Sequence, residues 1–183
     1  MDSTGNFIVY GISTGENVIY DLRNLDHPVD TREAGFNYPL STSLRMIPGG
    51  KGFVQGSMEG KVSVEVFGKQ QQQADKYTFK CHRTVLTDDV EFVGPVNDIS
   101  FLDQTRFFTA GSNVDRRVCL WDYTTKKRVK QYRNLPMGIT KLQYNHKLGL
   151  LAIAMSDDSF KNSVSIEEGV VGEKGSVIMV INH

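Results

Sequence analysis

The sequence predicts an all-β fold built from repeated strand quartets, and three observations carry that prediction. Apolar and β-branched residues come in short runs separated by Gly, Asp, Asn and Pro. No segment sustains a helical period. An ordered set of four such runs recurs along the chain, and a repeat of this length in strands means radial repetition before it means a sandwich or a barrel.

Taken in order, strands are predicted at 7–11, 18–22, 43–47, 53–57, 62–67, 77–81, 96–101, 106–112, 117–122, 129–132, 139–144, 150–156 and 176–181. Val62, Val64 and Val66 alternate with Ser63 and Glu65, which gives that strand one face in a core and one outside. The first repeat begins at what should be its second strand, 7–11, followed by Val18-Ile-Tyr-Asp21. The clearest unit runs Val96-Asn-Asp-Ile-Ser-Phe101, Phe107-Phe-Thr-Ala-Gly-Ser112, a turn, Val118-Cys-Leu-Trp-Asp122, then Lys126-Lys-Arg-Val-Lys-Gln-Tyr132. A more degenerate copy runs Leu44-Arg-Met-Ile-Pro48, Phe53-Val-Gln-Gly-Ser57, Lys61-Val-Ser-Val-Glu-Val-Phe67 and Tyr77-Thr-Phe-Lys-Cys81. The last unit ends on a third strand, Val177-Ile-Met-Val-Ile181.

Four-stranded meanders carrying Gly-Ser and Trp-Asp marks are blades of a WD-repeat β-propeller. The whole chain, 1–183, reads as the C-terminal part of one such domain, with blades at about 1–42, 43–83, 94–133 and 138–183. That is about three and a half blades of an expected seven, an incomplete ring whose open edges call for the missing N-terminal blades or a second copy. Ser112 and Asp115 are expected to hydrogen-bond around the Trp121 indole, and with Asp122 they are read as structural residues.

Lysine plus arginine (21) balances aspartate plus glutamate (21), so nucleic acid and membranes are not expected as partners. Cys81 and Cys119 match no metal spacing, and so few thiols fit a reducing compartment. His82, beside Cys81, is read as structural. The acidic pairs Asp157-Asp158 and Glu167-Glu168 are read as solvated, since neighbouring acids on a strand point to opposite faces. The glutamine tract at 70–73 and the long connection at 157–175 are read as surface loops. No catalytic residue, metal or cofactor is expected, and the protein is read as not an enzyme.

Several stretches resemble one family in particular. Tyr20-Asp-Leu-Arg-Asn24, Gly56-Ser-Met-Glu-Gly-Lys-Val-Ser-Val-Glu65, Tyr77-Thr-Phe-Lys-Cys-His-Arg83, Pro95-Val-Asn-Asp-Ile-Ser-Phe101 and Trp121-Asp-Tyr-Thr-Thr-Lys-Lys-Arg128 are similar to the spindle-checkpoint WD-repeat proteins of the budding-uninhibited-by-benzimidazoles class, yeast type. Their mRNA-export and nuclear-pore relatives are the alternative, and Lys126-Lys-Arg128 favours the checkpoint branch. The resemblance implies an adaptor in the nucleus and at kinetochores, and also in the cytoplasm. It would hold a short disordered segment of the checkpoint kinases and read phosphorylated Met-Glu-Leu-Thr motifs of a kinetochore scaffold.

The resemblance assigns phosphopeptide contacts to Lys61 and Arg83, with Lys80 in support, because a phosphothreonine needs converging cations. One departure stands out: where the family usually carries an arginine for the kinase segment, this chain has Thr42, with Arg45 as the candidate replacement.

Overall fold

The computed structural model describes residues 1–38, 40–67, 75–87, 90–157 and 175–182. The glutamine tract, the second acidic pair and nearly all of the long connection after Asp157 lie outside them.

Among the described residues, seventeen strands form four meandering sheets and one hairpin, every pairing antiparallel. The first sheet holds β1 (Asp2–Thr4), β2 (Phe7–Gly11), β3 (Glu16–Asp21) and β4 (Asp30–Glu33). The second holds β5 (Ser41–Met46), β6 (Gly52–Ser57), β7 (Lys61–Val66) and β8 (Asp75–Lys80). The hairpin of β9 (Arg83–Thr87) and β10 (Val90–Val93) follows. The third sheet holds β11 (Val96–Phe101), β12 (Arg106–Gly111), β13 (Val118–Asp122) and β14 (Lys127–Tyr132). The fourth holds β15 (Gly138–Asn145), β16 (Leu150–Ser156) and β17 (Ser176–Asn182).

The first strands β1, β5, β11 and β15 lie side by side in succession, so the sheets fan out from their first strands as propeller blades do. The first sheet is complete in its strands, which corrects the expectation that it begins at 7–11. Asp2–Thr4 is short, polar and without alternation, yet it pairs with β2, and the Asp2 carboxylate accepts the Met46 backbone N–H at 2.7 Å. Strands β4, β9 and β10 were also not legible as apolar runs. β4 reads Asp-Thr-Arg-Glu, and the hairpin sits in solvent with Val85, Leu86, Val90 and Phe92 exposed.

Three apolar layers fill the spaces between neighbouring sheets. Val9, Ile19, Leu44, Met46 and Phe53 lie between the first two sheets. Val54, Val62, Val64, Ile99 and Phe107 lie between the second and third. Phe108, Leu120, Ile139, Leu142, Leu151 and Ile153 lie between the third and fourth. The period of two explains the sorting: Phe107 and Phe108 are adjacent and point to opposite faces, so each serves a different layer. Each such fully buried side chain contributes about 1.5–3 kcal/mol.

A repeated irregularity marks the first strands of the second, third and fourth sheets. The pairing of the first strand with the second breaks between Ser41 and Ser43, between Val96 and Asp98, and between Ile139 and Lys141. A bulge bends its strand and re-aims a side chain. Thr42 accordingly donates to the Val96 carbonyl of the next sheet, and Asn97 donates to the Ile139 carbonyl at 2.8 Å. Thr42 is therefore a latch between sheets in this chain.

Candidate functional site

The candidate site is the seam between the second and third sheets, crossed by the chain from β8 to the hairpin. Its foundation is a hydrogen-bond relay. His82 Nδ1 lies 2.7 Å from Asp115 Oδ2 and its Nε2 lies 2.8 Å from Thr109 Oγ1, while Trp121 Nε1 donates to the same hydroxyl at 3.0 Å. Asp115 also accepts from Arg117 Nε at 2.8 Å, and the His82 and Asp115 side chains are fully buried. A Cβ at Gly111 would overlap the Asp115 carboxylate and come within 2.5 Å of His82 Nδ1, so the relay needs a glycine there.

His82 is structural, as the sequence suggests, and it has a specific job. The sequence reading of Trp121 differs from the structure in its partners, since neither Ser112 nor Asp115 bonds the indole and the Asp115 carboxylate goes to His82 and Arg117. The indole goes to Thr109, three residues before Ser112, because Thr109 faces the seam on β12; the Ser112 hydroxyl instead accepts the Val114 N–H at 3.3 Å. Asp122 caps its own turn, accepting from Thr124 N at 2.9 Å and Thr125 N at 3.1 Å. Burial alone would raise its pKa, and these bonds with the Thr124 hydroxyl hold it below the usual carboxylate value.

Above the relay lie the predicted cations. Lys61 and Lys80 face each other across β7 and β8. Lys61 Nζ sits 2.6 Å from the Glu59 carboxylate, and Arg83 donates to the Glu59 carbonyl at 3.0 Å, so the two cations approach one residue from two sides. Arg83 also pairs with Glu91 at 2.8 Å. Both carboxylates belong to the site, and sequence reasoning missed them because neither stands in an apolar or cationic pattern.

Arg45 lies apart from this cluster. Its Nη2 is 3.1 Å from Asp98 Oδ1, and Asp98 is fully buried between the inner strands. Asp98 also accepts from the Ser43 hydroxyl at 3.1 Å and the Leu142 N–H at 3.0 Å. Arg45 is thus engaged as a tie between sheets.

Two cavities open along the seam, with Lys80 and Trp121 shared between them. One is aromatic, lined by Tyr77, Phe79, Phe107 and Tyr123, with Lys126 standing 4.5 Å from the Tyr77 ring centroid. The other is polar, lined by Cys81, His82, Arg83, Glu91, Arg117, Cys119, Arg128 and Gln131. Burial pushes the Cys81 thiol well up and the Cys119 thiol up to about 11, so both are protonated, poor nucleophiles at neutral pH. Among the described residues no group of three His, Cys, Asp or Glu side chains could hold a metal.

The chain as a whole is similar to known proteins. No family model matches the chain. The spindle assembly checkpoint protein bub3 of Schizosaccharomyces pombe is 36% identical over 155 residues, 83% of this chain and 47% of that protein. The mitotic checkpoint protein BUB3.1 of Arabidopsis thaliana is 34% identical over 181 residues, 98% and 50% of the two chains. The mRNA export factor GLE2 of Chaetomium thermophilum is 34% identical over 162 residues, 86% and 43%. The chain thus spans about half the length of these relatives. Among solved structures, a chain in the crystal structure of a mitotic checkpoint complex shares the fold, with a TM-score of 0.66 at 15% identity over 85% of this chain and 43% of that one.

Proposed function

We infer, from a chain that belongs to the Bub3 family of spindle-checkpoint proteins and spans about half their length, a non-enzymatic adaptor role in the spindle checkpoint. In this reading the rim of the seam between the second and third sheets receives an extended, phosphorylated segment of a kinetochore scaffold. The observation that carries it is the gathering of Lys61, Lys80 and Arg83 around the turn at Glu59. A phosphothreonine at pH 7 carries close to two negative charges and three acceptor oxygens, which such a cluster can meet with charge-assisted bonds.

The test is the affinity of the full chain for a peptide bearing a phosphorylated Met-Glu-Leu-Thr motif. The combined variant Lys61→Ala, Arg83→Ala is expected to lose binding while the unphosphorylated peptide binds neither protein. Equal affinity of wild type and variant removes this site from the proposal.

Recruitment of checkpoint kinases through a short disordered segment, at kinetochores and in the nucleus, is part of the same proposal. Neither Thr42 nor Arg45 is offered as its contact, since both are engaged between sheets. The export reading keeps a specific support in the GLE2 relative, whose identity to this chain is close to that of the checkpoint proteins. RNA binding with a steep salt dependence would favour export, because each neutralised phosphate adds to the slope.

A further inference from the structure

Three apolar layers join the four sheets, so one face of the first sheet and one face of the fourth have no neighbouring sheet among the described residues. Alternation tells what each face carries. On the first sheet Val9 and Ile19 point to the second, so Ile8, Tyr10, Val18 and Tyr20 point away from it, with the two tyrosine rings stacked at 6.2 Å. On the fourth sheet Leu151, Ile153 and Met155 point to the third, so Ala152 and Ala154 point away, beside their cross-strand partners Val180 and Ile178. Ile178 is 74% exposed and Val180 56% exposed.

These are the positions that build the interior seams. In the third sheet Phe108 with Leu120, and Ala110 with Val118, face the fourth sheet. The bulge sets Asp98 opposite Ala110 and Lys141 opposite Ala154, so the same places in the fourth sheet are Ala152 with Val180 and Ala154 with Ile178. On its other face the third sheet turns Phe107 with Trp121 toward the second. Matching Tyr20-Asp21 to Trp121-Asp122 puts Ile8 with Tyr20 at that place in the first sheet. The fourth sheet therefore presents the outgoing half of a seam and the first sheet the incoming half. Their shapes differ in the sense that packing needs: two alanines leave a trough on one face, and two stacked tyrosines form a ridge on the other.

The latch residues repeat the pattern. Thr42 and Asn97, at the bulges of the second and third sheets, each donate to the first strand of the next sheet. Thr140 holds the same place in the fourth sheet, and its hydroxyl turns back to the Ala154 carbonyl at 3.1 Å.

We propose that these two faces receive each other in a second copy of the chain, the first sheet of each copy packing on the fourth sheet of its partner. A single contact of this kind would propagate as an open series, whereas a two-fold arrangement forms both seams at once and closes. Two copies of four sheets make eight, within the range of about four to eight blades that closed propellers use. A chain spanning about half the length of its relatives makes up that length in two copies.

Sedimentation of the full chain across the micromolar range is expected to show a dimer. Tyr20→Glu and Val180→Lys each place an unpaired charge in both seams of the pair, and each is expected to weaken the dimer by about a hundredfold. Both side chains lie on open faces, and cooperative unfolding of each variant shows that it folds. Mixing the two variants is expected to restore a dimer, because one seam of the mixed pair is unchanged and the other sets the introduced charges against each other with opposite sign.

A wild-type chain that stays monomeric throughout overturns the proposal, as does a dimer that survives both single substitutions or a mixture that stays monomeric. A series of ever larger species overturns the closed pair. A chain that is monomeric alone and binds the unmatched half of the Schizosaccharomyces pombe relative assigns the faces to that half and overturns the second copy as their occupant.

Discussion

The second and third sheets repeat the same strand order, but their polar anchors differ in kind. In the third sheet Trp121, Thr109 and Asp115 are joined through His82, a relay that ties the sheet to the segment entering it. In the second sheet two buried polar groups, Glu65 and Gln55, reach outward to the first. Glu65, 2% exposed, is ion-paired with Arg32 of β4, and Gln55 exchanges two side-chain bonds with Asn17 of β3 at 3.0 and 3.1 Å. The third sheet carries its own lock, whereas the second borrows one.

The comparison breaks first at Asp98, where the third sheet also acts as a tie. Its carboxylate serves Ser43 and Arg45 on one side and the Leu142 N–H on the other, so three sheets meet on it. Asp98→Ala is expected to cost about 3–5 kcal/mol in chemical denaturation, because it strands a guanidinium and buried donors together. A loss under 1 kcal/mol would show that the sheets hold by their apolar layers alone.

The borrowed lock comes next. Among the described residues, Arg32→Met leaves the Glu65 carboxylate with only Lys76, 3.7 Å away, and is expected to cost about 2–3 kcal/mol. Adding Glu65→Met should restore most of that loss, since an apolar pair in place of a buried ion pair is often neutral or better. Failure of the second substitution to rescue the first would mean that Glu65 has a role in the site beyond its pairing.

The internal relay is neutral at its indole end, and its deletion should be milder. Trp121→Phe keeps the ring in the apolar layer and removes one N–H donated to Thr109, for an expected loss of about 1 kcal/mol. The Arg128 guanidinium, 5.8 Å from the indole centroid, loses part of its seat as well.

How much of this was legible in the sequence follows from where the information lies. Strands with a buried face announce themselves by alternation, as Val62, Val64 and Val66 do. Strands β1, β4, β9 and β10 carry no such signal because they lie at edges or in solvent, where pairing alone makes them strands. The cations at 61, 80 and 83 were found through their resemblance to a family. Gln131 and Arg128 could not be, since their membership in the seam depends on one irregular step in the pairing of β13 with β14. Thr42 looked like a missing arginine and is a latch, a role visible only once the bulge beside it is seen.

The smallest expected effect tests whether charge matters equally outside the seams. Asp21 is held down to about 2 by hydrogen bonds and attraction from Arg23, at 2.5 Å on the surface of the first sheet. A carboxylate whose folded pKa is depressed adds stability above its unfolded value, near 4, and loses it as pH falls toward 2. Water screens this exposed pair, so the contribution is expected to be slight. Asp21→Asn should lower stability slightly at pH 7 and flatten the acid limb between about pH 4 and 2, so that the two proteins converge near pH 2, while an NMR titration of wild type places the Asp21 midpoint below the ordinary carboxylate range. A substantial loss at pH 7 would mean that the exposed pair anchors the turn after β3, and the contrast between buried and surface charge would then have to be redrawn around local turn geometry.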